Sequence, residues 1–221
     1  MAQPFINYSQ QGNPNVPLVN LTNVFANKVT RFHLKEEFLS LSQDDFSIVD
    51  EDTKIEQFRI ERQLISVIKQ SKTLYDSNRN VIWVMKHPLF KLFHRTYKFV
   101  DANGNILFKI RNRHRFIPGQ GKKLTLKLGD GRTVMSKGKW LDLTTPIVLD
   151  DGVQLGEITK SLVSARGLAT GLSGYNLTVQ PNVDIAMCFA FVCVLDEERE
   201  KKSGNAPMMA MMRPGGMFGR P

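Results

Sequence analysis

The sequence has little of what reactive centres are built from. Among 221 residues there are two cysteines, Cys188 and Cys193. Five positions apart on one helix, they point about 140° away from each other, so they can neither bridge nor share a metal. They read as buried thiols packing as small hydrophobes. The four histidines, His33, His87, His94 and His114, show no ligand-type spacing and have no cysteine nearby, which argues against zinc. Ser161, Ser164 and Ser173 sit in no Gly-x-Ser-x-Gly elbow. The glycine-rich stretch 167–174 does not end in Gly-Lys-Ser/Thr, so it is not a phosphate loop. The acids from Asp44 to Glu61 lack the spacing of a calcium loop and read as a solvated rim. These absences predict a protein with no catalytic residues, no metal and no cofactor.

Other absences bear on location. The first residues, MAQPFINYSQ, have no basic start followed by an apolar core, so no secretory signal is expected. With unbridged thiols, this predicts a reducing, intracellular setting. The expectation is a cytoplasmic protein, compatible with peripheral attachment to a membrane and with the nucleus. No apolar run reaches the length of a membrane-spanning helix, about 20 residues.

The longest apolar run, Ile185 to Leu195, has eleven residues, and Asp196, Glu197 and Glu198 follow it at once. A helix of that length is about 16 Å long. It would be apolar on every face, so it must be enclosed on all sides. A central helix over about 183–202 is predicted, with Ile185, Met187, Cys188, Phe189, Phe191, Val192, Val194 and Leu195 in the core. Asn182 or Asp184 can cap its first N–H groups.

The rest of the chain supplies a wrapper. Residues 1–17 are rich in Asn, Gln, Gly and Pro, and 203–221 in Met, Gly and Pro; both are expected to be disordered tails flanking one domain, 18–202. Residues 18–25 suit a first strand and 34–41 a short helix. From Phe46 onward, short β-favouring runs alternate with polar breaks. Residues 73–86 (TLYDSNRNVIWVMK) and 98–111 (KFVDANGNILFKIR) repeat at an offset of 25, each reading strand–turn–strand. Asn103-Gly104 suits a type I′ turn, whose two central residues both need positive φ. Turns at 128–132 and 149–153 continue the pattern. About ten to twelve strands are predicted, closed around the helix so that no sheet edge remains.

The segment 175–200, YNLTVQPNVDIAMCFAFVCVLDEERE, together with the twin hairpins, resembles the LURP-one-related family. That family belongs to the tubby C-terminal-like superfamily, with tubby proteins and phospholipid scramblases. The resemblance spans roughly residues 40–200. It implies a mainly β fold: a twelve-stranded antiparallel closed β-barrel enclosing one hydrophobic C-terminal α-helix. Tubby domains, similar in fold, bind phosphoinositides through basic residues, and scramblases act at membranes with calcium.

Charge is the remaining signal. The net charge is +9, and between Lys86 and Lys139 fourteen Lys or Arg face two acids, Asp101 and Asp130. Candidate anion-binding residues are Lys91, Arg95, Lys98, Lys109, Arg111, Arg113, Arg115, Lys122 and Lys123. Alternation places Arg111, Arg113 and Arg115 on one face of an extended strand. Guanidinium groups offer phosphates a planar donor fork. The same block also reads as the solvated outer face of a barrel. Three functions follow. The first is a non-enzymatic module contacting an acidic membrane surface or phosphoinositide through residues 86–139. The second is an intracellular interaction or scaffold protein with no lipid role. The third is a protein holding 185–195 in lipid. Nucleic acid is the weaker partner, because the interleaved aromatics fit a barrel core at least as well as base stacking.

Overall fold

The computed structural model describes residues 19–37, 45–66, 69–86, 94–113, 122–138, 144–161 and 174–203. Twelve antiparallel strands close into a barrel around one helix. The strands are β1 (Thr30–Glu37), β2 (Asp45–Asp50), β3 (Glu56–Ser66), β4 (Lys69–Asp76), β5 (Val81–Lys86), β6 (His94–Val100), β7 (Ile106–Arg113), β8 (Lys122–Lys127), β9 (Thr133–Gly138), β10 (Thr144–Leu149), β11 (Gln154–Ser161) and β12 (Gly174–Val179). The helix is α1, Ile185–Ser203. Each strand pairs with its sequence neighbours, and β1 closes the ring against β12. Both expected tails, 1–17 and most of 203–221, lie outside the described residues.

Two local expectations are corrected. Residues 34–37 extend β1 rather than starting a helix. Alternation explains it: Phe32 and Leu34 point into the core while Arg31 and Lys35 stay exposed. Residues 19–26 form no strand either. They make single bridges at Val19 and Phe25 to the residues preceding the helix. The segment crosses beneath the helix start, stitched by Val19 N to Asn182 O (3.0 Å), Asn182 N to Ala26 O (2.7 Å) and Ile185 N to Val24 O (2.8 Å).

The hairpin turns also differ in kind from the type I′ expectation. Gly104 has φ 89°, but Asn103 is not in the positive region. Gly104 N donates to Asp101 O, and Asp101 N to Asn105 O. That is a three-residue loop with a left-handed fourth position. The same pattern recurs at 76–80, 128–132 and 149–153, with Arg79, Gly131 and Gly152 at positive φ. At two of these four turns the opening Asp side chain supports the loop: Asp101 Oδ1 accepts from Asn103 N and Asn105 N, and Asp76 Oδ1 from Asn78 N and Asn80 N.

These turns gather at one end of the barrel, where α1 enters. Residues 185–194 are at most 5% exposed, on every face of the helix. Phe189 meets Phe32 and Phe58 edge-on, with centroids 5.2 and 5.3 Å away. The Trp83 indole donates to Ala186 O at 2.9 Å, so its one polar atom is satisfied inside the core. Each such enclosed side chain contributes about 1.5–3 kcal/mol. Gly156 is required where β11 meets β12, because a Cβ there would come within 2.6 Å of Thr178 O. No helix among the described residues is long and apolar enough to cross a membrane.

Candidate functional site: a basic outer face on β5–β9

Pleating sends alternate residues of β5–β9 outward, and register aligns them into rows. Lys86 pairs with Lys98, and Lys98 with Lys109, so three exposed lysines lie side by side across β5, β6 and β7. One residue beyond the Ile110–Leu126 pair, Lys109 and Lys127 continue the row into β8. The next outward row reads Thr96, Arg111, Thr125, Met135 and Val148, each in register with the last. The third joins His94, Arg113, Lys123 and Lys137 by backbone register.

The lysine row therefore flanks a mostly neutral row on one side, and Lys123 flanks it on the other. Between them lies a groove of about 430 Å³, lined by Lys109, Arg111, Lys123 and Lys127, with Thr125 and Met135 beneath. Thr125 and Met135 face outward yet are only 7% and 8% exposed, so the basic side chains stand above a sunken floor. Ile106 and Phe108 line the same groove, as does one acid, Asp150. Lys86, Lys98, Lys109, Arg111 and Lys127 form no ion pair among the described residues. Like charges directly opposite on a sheet are destabilising. This face is thus arranged against the fold's own stability and suited to an anion that bridges the rows.

The residues singled out in the sequence divide accordingly. Lys98, Lys109, Arg111 and Lys123 lie on this face. Arg113 and Lys122 belong to β7 and β8 by backbone, but their side chains are outside the described residues, as are Lys91 and Arg115 altogether. Arg95 is elsewhere. It reaches into the barrel, Nη1 to Glu198 Oε1 at 2.9 Å, with 20% of its side chain exposed. Burial opposes its charge, but the Glu198 carboxylate outweighs that and raises its pKa.

Arg95 belongs to an interior cluster that sequence reasoning missed. Asp196, Glu197 and Glu198, expected as a charged exit from the apolar run, are 4%, 3% and 2% exposed. Asp196 accepts from Lys72 Nζ (3.1 Å) and the Tyr175 hydroxyl (2.9 Å); Glu198 accepts from the Tyr97 hydroxyl (2.6 Å). Lys72 is an inward residue of β4, in register with Met85. A lysine at an inward strand position was the one available signal. At the helix's other end Asp184 caps as expected, Oδ1 accepting from Met187 N at 2.7 Å, while Oδ2 holds Leu21 N and Thr22 N. The acidic residues at 45–61 are used locally: Asp45 accepts from Arg62 N, Asp50 from Asp52 N, and Glu56 pairs with Arg59. Among the described residues no cluster of His, Cys, Asp or Glu could hold a metal ion.

No curated protein and no solved structure matches the chain. The family model described as LURP-one-related matches residues 30–196, three-quarters of the chain, spanning all twelve strands and the first twelve residues of the helix. The chain belongs to the LURP-one-related family.

Proposed function

We propose that this protein is a non-enzymatic binding module that takes anionic phospholipid or phosphoinositide headgroups on the outer face of β5–β9. The observation that carries this reading is the in-register row Lys86, Lys98 and Lys109 beside a groove lined by Arg111, Lys123 and Lys127. Phosphate oxygens would relieve the repulsion between neighbouring cations, and Arg111 beside the Thr125 hydroxyl offers both a charged fork and a neutral donor. Interactions of this kind weaken with salt, since exposed charges are screened beyond about 8 Å at physiological ionic strength. Co-sedimentation with phosphatidylcholine vesicles, with and without phosphatidylserine, tests the reading. Binding that rises with phosphatidylserine and falls with salt is expected. Equal binding to both vesicle types, or binding to neither, contradicts it.

A further inference from the structure

Exposed large apolar side chains are few among the described residues: Val29, Ile55 and Ile106, at 42%, 59% and 51%. Ile106 differs from the others in its setting. It lines the basic groove and opens β7 immediately after the turn. Register pairs Val84 with Val100 and Val100 with Ile106, an apolar row across the same three strands that carry Lys86, Lys98 and Lys109. The two rows lie two residues apart along β5 and β6, about 7 Å. Val100 is 3% exposed, so the apolar row comes to the surface at Ile106.

The turn beside it points the same way. Residues 102–105, Ala-Asn-Gly-Asn, are all exposed and carry no charge. The other tips do: Asp52 and Lys54 at one, Arg79, Asp130 and Asp151 at the others. Asp101, at the base of this turn, is occupied by Asn103 N, Asn105 N and Asn105 Nδ2. A soluble polyanion needs no exposed isoleucine and no uncharged tip beside its cations. A bilayer offers phosphate and, just beneath, hydrocarbon, and amphipathic surfaces dock on it by combining both.

We infer that the anionic partner is a bilayer surface and that Ile106 enters it, the 102–105 tip leading, while the lysine row stays at headgroup level. This rests on the headgroup-binding reading above. Ile55 is the internal control: it is as exposed, but it lies beside Glu51 and Asp52 on the β2–β3 turn.

The experiment uses the full chain and vesicles of phosphatidylcholine with phosphatidylserine. Ile106→Ser should weaken vesicle binding about tenfold or more, the partition value of one large aliphatic side chain. Ile55→Ser should leave it unchanged. A polarity-sensitive fluorophore on Ile106→Cys reports depth directly, because Cys188 and Cys193 are fully buried and will not label. Its emission should shift blue with these vesicles and not with soluble inositol hexakisphosphate. Wild-type binding to the vesicles with a fluorophore that stays in water overturns the insertion and leaves headgroup binding standing. Failure of the wild type to bind them overturns both.

Discussion

Lys72 Nζ lies 3.1 Å from Asp196 Oδ2, and the lysine side chain is completely enclosed. The pair ties the middle of β4 to the helix 124 positions later. Burying two charges costs roughly what their attraction returns, so the pair sets the depth of the helix more than it adds stability. Lys72→Met strands Asp196 in the interior and is expected to cost about 3–5 kcal/mol. Lys72→Met combined with Asp196→Leu removes both charges and should cost much less than the sum of the single changes. Urea unfolding of the four proteins in this cycle measures the difference.

The two enclosed tyrosines give a pH signature. Burial, then the carboxylates of Glu198 and Asp196, raise the pKa of Tyr97 and Tyr175 above the ordinary 10.0. A group whose folded pKa is raised holds its proton longer in the folded state. The unfolded chain then ionises first, and stability falls as pH rises through about 10. Of the four tyrosines, these two should ionise only as the protein unfolds, and phenolate absorbance followed beside circular dichroism reads this.

Asp184→Ala removes the acceptor for Met187 N, Leu21 N and Thr22 N together. A lost helix cap alone costs about 1 kcal/mol, and each buried N–H left without a partner adds about 1–3 kcal/mol. The expected loss is therefore larger than that of a cap. Hydrogen exchange should show it first at residues 19–26, which Asp184 fastens to the helix.

The exposed turns respond to acid in the opposite sense from the tyrosines. The Asn105 side-chain amide, then backbone N–H groups, lower the pKa of Asp101 below 3.8. Its contribution is complete above about 3.8 and is lost as pH falls through the lower folded value. Asp101→Ala should flatten the acid limb of the stability curve at the β6–β7 hairpin, read from amide exchange of Asn103 and Asn105.

The fold was legible because its two strongest patterns agree. An eleven-residue apolar run demands enclosure, and strand–turn–strand repeats supply the enclosure. Turn chemistry was legible as far as the Asp and Asn positions, but not the turn type, because Arg79 takes in one copy the left-handed position Gly104 takes in the other. Long-range polar pairing was hidden. Nothing local links Lys72 to Asp196 or Arg95 to Glu198, so a run of acids after an apolar helix reads as solvent-facing. The basic face was visible as composition, while its rows needed the register: Lys86, Lys98 and Lys109 become neighbours only when β5, β6 and β7 are aligned.

That register makes Lys98 a test of function against stability. It stands between two lysines, so Lys98→Glu converts two repulsive cross-strand pairs into attractive ones, worth about 0.2–1 kcal/mol each. The variant should melt higher than wild type at low salt and bind anionic vesicles less.

Binding of anionic headgroups to this face is decided by Lys109→Glu combined with Arg111→Glu in vesicle co-sedimentation. Both residues line the groove, and both are exposed, so folding should be retained. This folded double variant should no longer sediment with phosphatidylserine vesicles that carry down the wild type. Undiminished sedimentation of the variant would contradict headgroup binding at this face.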